Sequence, residues 1–260
     1  MNTLDKILIP MNFSDSAMNA FRYALNLIRA DNRMQLILIN VIERDEHGIE
    51  AVEAMNQFDT LKSAVPDYVE RLEIIIKHGR LIDTIVETVA ELDPSLVIMG
   101  TKGKSKSLMH SESNTSMLVR KLDRSVMVIP QHAEELQIDH IAVAVDDEID
   151  HPADLLVVRS IAEWFGAKVH ILTIQKPVAG LVSEFHQADT LEYYFEELDY
   201  QHAFAESEDV LQGIEQYIQQ HHIDIPTILP KTHAQFGKPS AGQLTRVLTL
   251  QSKIPLLIVD

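Results

Sequence analysis

Short apolar runs recur along the chain, and amphipathic or polar stretches separate them. The runs are continuous rather than alternating, which is typical of parallel strands that are buried on both faces. In the first half, five runs predict strands at Lys6–Pro10, Gln35–Val41, Glu73–Lys77, Leu96–Met99 and Ser125–Ile129. The pattern therefore predicts a parallel sheet that is covered by helices on both sides.

Helical periodicity fills the intervals between these strands. Apolar residues from Ala17 to Ile28 recur at three- and four-residue spacing, and Ser14 or Ser16 is a candidate N-cap. Further helices are predicted from Leu81 to Val89, over residues 113–122 and within the polar connection 46–67. Strands that alternate with helices form βαβ units, so the predicted class is α/β with a doubly wound sheet.

The second half of the chain repeats the plan of the first. The run Ile141–Val145 repeats the first predicted strand at an offset of 134 residues, and Pro255–Val259 repeats the fifth at an offset of 130. A short polar stretch at Pro130–Gln137 separates the two copies. We therefore expect two tandem domains, residues 1–133 and 134–260, each with five parallel strands, docked closely because the connection is short.

Charge and composition narrow the possible partners. The chain has 22 Lys and Arg against 39 Asp and Glu, a net charge of −17, of which residues 1–133 carry −3 and residues 134–260 carry −14. So acidic a chain repels a phosphate backbone, which argues against nucleic acid as a partner, and an anionic ligand would prefer the first half. The chain has no cysteine, which excludes disulfides and thiol chemistry. No apolar run approaches a membrane span, and we expect a cytoplasmic protein.

One loop in the first half combines features of a phosphate site. Gly100 directly follows the fourth predicted strand, where the backbone could turn and approach a ligand closely. Lys102, Lys104 and Lys106 follow, and Ser113-Asn114-Thr115 opens the next helix, where free N–H groups favour an anion. A βα loop without any ligand has the same composition, so both interpretations stay open here. Neither a Walker loop nor a G-x-G-x-x-G motif is present.

These stretches together resemble the universal stress protein family. The resemblance rests on Ile7-Leu8-Ile9-Pro10, Asn12-Phe13-Ser14, Val97–Gly103, Ser113-Asn114-Thr115 and Val126–Ile129, and the tandem branch fits because both halves take part. It implies strand order 3-2-1-4-5 and, in members that bind ATP, a G-x2-G-x9-G-[ST] loop, an Asp after the first strand and a backbone contact from the second. The corresponding positions here are Asn12, Val41, Gly100, Gly103, Ser113, Asn114 and Thr115.

Departures from the motif are expected to weaken this site. Asn12 replaces the Asp and so lacks its charge, although it can still form hydrogen bonds. Glu112 replaces the third glycine, after eight residues instead of nine. A carboxylate at that position would repel a phosphate.

The second half has the opposite pattern. Asp146 and Gly242 match the family motif, but Pro230 and His233 replace the first two glycines. Proline has no N–H and a fixed φ, so this backbone cannot form the same cradle. We expect the second half to be structural and not to bind a nucleotide.

No metal site or catalytic set emerges from the remaining polar residues. His221 and His222 are adjacent and point apart, so we expect a solvated helix end rather than a metal site. The acidic run from Asp146 to Asp150 lacks the ligand spacing of a calcium loop.

The resemblance implies a stress-response regulatory protein with a weakened adenine-nucleotide pocket in the first half. ATP, with Mg²⁺ accompanying it, is the expected ligand, and no catalysis is expected. Two alternatives remain: a slow ATPase or nucleotide-transfer enzyme, for which Asp15 and Glu112 are the local acids, and a scaffold that binds an unknown protein partner without a ligand. The resemblance also implies pairing through the last strands, so Val126–Ile129 and Leu256–Val259 would form an internal pseudo-dimer. A further homodimer of the whole chain stays an open alternative.

Overall fold

The computed structural model describes residues 4–43, 48–102, 113–133, 137–145, 155–175, 194–229 and 253–259. In the first half, strands and helices alternate in the order β1 (Lys6–Pro10), α1 (Asp15–Ala30), β2 (Gln35–Ile42), α2 (Ile49–Ala64), a 3₁₀ segment (Pro66–Arg71), β3 (Leu72–His78), α3 (Leu81–Leu92), β4 (Leu96–Thr101), α4 (Asn114–Lys121) and β5 (Val126–Pro130). The five predicted strands are confirmed, with ends that differ by one or two residues.

The second half continues with the same alternation in its described parts. Its elements are β6 (His140–Val145), α5 (Leu156–Phe165), β7 (Lys168–Gln175), β8 (Tyr200–Glu206), α6 (Val210–His221), β9 (Ile225–Ile228) and β10 (Leu256–Ile258).

The described strands form one sheet with the order β3-β2-β1-β4-β5-β10-β9-β6-β7-β8. The expected order 3-2-1-4-5 is thereby confirmed in the first half, and it recurs from β8 to β10 in the second. Within each half the described neighbours are parallel, as in the register Leu8↔Ile37 and Val143↔Ile171.

The two sets of five strands join through one antiparallel pair. β5 pairs with β10 in the register Val126↔Ile258, Met127↔Leu257 and Val128↔Leu256. This confirms the expected pairing of the last strands within one chain. Because the pair is antiparallel, the carboxyl ends of the first-half strands and the amino ends of the second-half strands lie at the same edge of the sheet.

Helix α1 shows why the predicted helices form. The Ser14 side chain accepts a hydrogen bond from the Ala17 N–H, so Ser14 is the N-cap. The apolar stripe predicted from Ala17 to Ile28 is buried, with Phe21 and Ile28 among its members. This face belongs to a hydrophobic core that contains residues of both halves, including Ile129 from β5 and Leu257 from β10.

Side chains hold both ends of the connection between the halves. The Asn19 amide of α1 donates to the carbonyl oxygens of Pro130 at 2.9 Å and Ala133 at 3.1 Å. At the other end, the Asp224 carboxylate accepts the backbone N–H groups of Asp139 at 2.8 Å and His140 at 2.9 Å. Across the described part of the chain, no helix has both the length and the apolar character needed to cross a membrane.

Candidate functional site

The turn from β1 into α1 is fixed by side-chain hydrogen bonds. The Asn12 Oδ1 accepts from the Ser14 backbone N–H at 3.2 Å and from the Ser14 hydroxyl at 2.7 Å. Phe13 between them has φ 57°, a left-handed conformation that few non-glycine residues adopt, and its ring packs edge-on against Phe58 of α2 with centroids 4.7 Å apart. The Asn12 oxygen is therefore engaged in holding the turn, which leaves its amide nitrogen as the group for a ligand.

Gly100 is required by the packing of β4 against α1. A Cβ at this position would lie 2.1 Å from the Ser16 carbonyl oxygen and 2.9 Å from the Ala17 nitrogen. The sequence predicts that this glycine lets a ligand approach the backbone closely. The side on which a Cβ would lie is filled by the first turn of α1, so the glycine also serves the fold directly.

The start of α4 is tied to the end of β4. Ser113 is the N-cap, since its hydroxyl accepts from the Ser116 N–H at 3.1 Å. The buried Thr115 hydroxyl donates to the Gly100 carbonyl at 3.3 Å, while Asn114 is exposed. Thr115 therefore connects helix and strand, and Asn114 presents its side chain to solvent at the same helix start.

Strand β2 completes this edge of the sheet. The Asn40 amide donates to the Met11 carbonyl at 2.7 Å, and the Met11 N–H donates to the Ile39 carbonyl at 2.7 Å. Val41 is half-buried and packs beside the apolar cluster on the other face of the sheet from α1. The end of β1 is thus hydrogen-bonded to β2 next to Val41, whose backbone is expected to contact a nucleotide.

The described members of the predicted site come together at the carboxyl edge of the first half. Asn12 follows β1, Val41 and Gly100 are the last residues but one of β2 and β4, and the Ser113–Thr115 segment opens α4. The predicted site residue Gly103 lies outside the described residues, as do Lys104, Lys106, Glu112, Asp146, Pro230, His233 and Gly242.

The electrostatics of this edge favour an anion. Two helices, α1 and α4, begin here with serine caps, so their N-terminal N–H groups and dipoles converge. Lys102 follows β4 and is exposed. Asp15, also exposed, lies in the first turn of α1. In the part of the chain that the structure describes, no group of three or more His, Asp or Glu side chains is arranged to hold a metal ion.

A histidine cluster in the second half was missed by the sequence analysis. His140 Nδ1 lies 3.1 Å from His170 Nε2, and His170 Nδ1 lies 2.8 Å from the Tyr217 hydroxyl. His221 is exposed at the end of α6, as expected, and its ring stacks on Tyr217 with centroids 4.1 Å apart. The three histidines are 30 to 81 positions apart, so no local spacing could reveal the cluster. The pairing of β6 with β7 and the packing of α6 bring them together.

Comparison with known proteins relates the first half of the sequence to a family and the whole chain to a known fold. Residues 3–130 match the model of the universal stress protein family. A universal stress protein from Archaeoglobus fulgidus DSM 4304 superposes with a TM-score of 0.76 at 14% identity, covering 100% of this chain and 99% of that chain. A putative universal stress protein from Pseudomonas aeruginosa UCBPP-PA14 has a TM-score of 0.65 at 14% identity, covering 98% of this chain and 93% of that one. No curated protein matches the chain.

A third structure, of a universal stress protein family protein from Arabidopsis thaliana with AMP bound, is 20% identical with a TM-score of 0.36 and covers 49% of this chain and 92% of that chain. At that score the likeness carries no weight for the ligand of this chain. The two full-length structural matches bear on the fold, and the family model bears on the sequence of the first half. On these grounds residues 3–130 belong to the universal stress protein family, and the whole chain shares the fold of the two full-length structural matches.

Proposed function

We propose that the protein is a regulatory, non-catalytic member of its family, with a weakened site for an adenine nucleotide, ATP, at the carboxyl edge of the first half. The observation that carries the proposal is the convergence of three segments on the end of β4. Gly100 accepts the close approach of α1 at Ser16, and the Thr115 hydroxyl of α4 bonds the Gly100 carbonyl. Two helix N-termini and the turn at Asn12 consequently share one edge.

Charge supports the choice of a phosphate-bearing ligand. Converging helix N-termini favour an anion, and Lys102 adds an exposed cation beside them. The first half is near neutral in net charge while the second carries −14, so the cost of bringing in a triphosphate is lowest at the first site.

The same residues support weak rather than tight binding. Asn12 has no charge, and its oxygen is engaged by Ser14. Glu112, where the family motif has a glycine, adds a negative charge to the loop sequence. Mg²⁺ would enter with the nucleotide phosphates, and Asp15 is a carboxylate at this edge that could meet it.

Isothermal titration with ATP and Mg²⁺ tests the proposal. We expect one site per chain, weakened several-fold by Lys102→Ala because an exposed cation beside the phosphates is lost. Lys121→Ala is the matched control: it removes the same charge from the same half, but at the last turn of α4, where Lys121 pairs with Asp83 at 3.5 Å. Equal effects of the two substitutions would contradict binding at the start of α4.

A gain of affinity gives a sharper result than a loss. Glu112→Gly restores the family's glycine and Asn12→Asp restores its acid, so each should strengthen binding of ATP with Mg²⁺. Gly100→Glu is unsuitable as a negative control, because any side chain there meets the α1 backbone.

The same titration, with a phosphate-release assay beside it, separates the two alternative functions. Sustained phosphate release that Asp15→Asn abolishes would favour a slow ATPase. Heat that is absent with ATP, ADP and AMP would favour a protein-interaction scaffold, a role that the exposed apolar residues Ile49, Val52 and Met55 on α2 support.

We further propose that residues 1–133 and 134–260 are the two domains and that the second binds no nucleotide. The repeated strand order and the connection between Pro130 and His140 support this division. A cytoplasmic location is part of the proposal, and cell fractionation tests it. A further homodimer, beyond the internal β5–β10 pair, is tested by light scattering of the intact chain.

A further inference from the structure

The histidine cluster lies where the strands of the second half begin. His140 is the first residue of β6, His170 is the third of β7, and His221 is the last of α6. The ring centroid of His170 is 5.2 Å from that of His140 and 5.9 Å from that of His221. His170 is only 3% exposed, His140 is half-buried and His221 is exposed, so the cluster runs from solvent into the core.

The hydrogen bonds around His170 fix its neutral form. The Gln201 amide Nε2 donates to His170 Nδ1 at 3.1 Å, and the Tyr217 hydroxyl lies 2.8 Å from the same nitrogen. With Nδ1 as an acceptor, the proton resides on Nε2, which donates to His140 Nδ1 at 3.1 Å. One neutral imidazole thereby joins β6, β7, β8 and α6.

A second proton on His170 has no favourable place in this arrangement. It would lie on Nδ1 and face the Gln201 amide N–H. His140 and His221 would add like charge on either side, and Lys168 on the same strand is also cationic. Asp199 is the opposing carboxylate from the β8 side, and it lies 3.6 Å from Lys168; Asp224 accepts the His140 backbone N–H. Burial first, and then these cations, lower the pKa of His170 to about 4.

We propose that His140, His170, Tyr217 and His221 form an acid-sensitive lock that holds α6 against the sheet at neutral pH and releases it when the cluster takes up protons. The lock is confined to the second half. Proton uptake triggers the change, and the element that is released is α6. This helix ends with His221 and has Tyr217 on its buried face.

The direction of the pH dependence follows from the two states. The unfolded imidazole takes up its proton near pH 6.5, whereas folded His170 resists protonation until about pH 4. Stability from the neutral imidazole is therefore fully present above pH 6.5 and is lost as the pH falls toward 4. Between pH 7.5 and 5.0, the opening equilibrium should rise by at least roughly tenfold.

Hydrogen exchange at pH 7.5 and 5.0, corrected for intrinsic exchange rates, tests the lock in the intact chain. We expect amides of α6 and the start of β6 to lose protection by that factor, while amides of β1 and β2 keep theirs. His170→Gln, which retains polar groups but does not titrate, should abolish most of the difference between the two pH values. His222→Asn is the matched control, because His222 is exposed, adjacent to the cluster and in a left-handed conformation that asparagine tolerates.

Direct titration keeps the proposal falsifiable if His170→Gln does not fold. The His170 ring resonances of the wild-type chain, followed by NMR, should show no protonation between pH 7.5 and 5.5. An ordinary titration near pH 6.5 in the folded chain would overturn the lock. So would an equal acid-induced loss of protection in β1 and β2, or the same pH dependence in His170→Gln as in the wild type.

Discussion

The two halves of the chain share a strand order but differ where their fourth strands end. β4 has six residues and finishes with Gly100 and Thr101, and Gly100 lies against the capped start of α1. β9 has four residues, one of them Pro226. Helix α5 has ten residues and Leu155 as its N-cap, without a side-chain cap bond, whereas α1 has sixteen and Ser14. Both halves therefore keep the strand order although these described elements differ in length and in helix capping.

For the helix that precedes the fourth strand, it is the second half that has buried side chains hydrogen-bonded between helix and sheet. In the second half a hydrogen-bonded set around His170 and Tyr217 lies between α6 and the sheet. The corresponding helix of the first half, α3, packs there with apolar residues such as Ile85 and Val89. Apolar contacts do not respond to pH near neutrality, but imidazoles do. Acid should therefore distinguish two halves that have the same fold.

Gly100→Ala should cause the largest change. The new methyl group would lie 2.1 Å from the Ser16 carbonyl, so the backbones of β4 and α1 must separate. We expect a loss of about 3 kcal/mol in the free energy of unfolding, measured by urea denaturation with hydrogen exchange to locate it.

Gly213→Ala in α6 is the matched substitution in the second half. Its methyl group would meet the side chains of Ile174 and Ser207 at 3.0 Å, and side chains can shift more easily than backbone. A loss as large as that of Gly100→Ala would contradict the inference that side chains relieve such a contact more easily than the backbone of Ser16 does.

Asp224→Ala should have the next largest effect, at the connection between the halves. The carboxylate accepts two backbone N–H groups, at Asp139 and His140, and both lose their charged acceptor. We expect about 2 kcal/mol of destabilisation. Asn19→Ala removes two neutral hydrogen bonds from the other end, to Pro130 and Ala133, and should cost about half as much.

Tryptophan fluorescence can follow the unfolding of the second half in both Asp224→Ala and Asn19→Ala. Trp164 on α5 is the one tryptophan of the chain, so its emission during urea denaturation reports on that half. Equal losses for the two variants would show that the charge of Asp224 contributes nothing to holding the connection.

Local patterns predicted the strands, the cap at Ser14 and the buried stripe of α1, because each depends on residues a few positions apart. The pairing of Val126–Val128 with Leu256–Ile258 was also predictable, since the resemblance supplied it. The packing reason for a glycine at position 100 was not predictable, because Ser16, which it contacts, is distant in sequence and lies on another element. The same is true of His140, His170 and His221, whose contacts depend on strand register and helix packing.

Acid should unfold the halves in a fixed order. In the second half, stability from neutral His170 is lost as the pH falls from 6.5 toward 4. In the first half, hydrogen bonds from Arg33 lower the pKa of the Asp31 carboxyl below 3.8, so its stabilising contribution is lost only below that pH. Trp164 emission should change at a higher pH than the hydrogen-exchange protection of β1 and β2. Coincident transitions would mean that the halves unfold together.

Helix caps should give the smallest effects, and they test whether the halves differ in their turns or only in their cores. Ser14→Ala removes the acceptor of the Ala17 N–H and also the donor to Asn12 Oδ1 at 2.7 Å. Asp209→Ala removes the acceptor of the Gln212 N–H at the start of α6, a bond of 3.0 Å. Each should cost about 1 kcal/mol in urea denaturation, as N-cap losses generally do.

The two variants should differ, however, in their affinity for ATP. Ser14→Ala frees the turn that holds Asn12 and should weaken binding, whereas Asp209→Ala should leave the titration unchanged because α6 lies in the other half. If both variants bind ATP as the wild type does, the β1–α1 turn contributes only to folding, and the preference for the first half must then rest on charge alone.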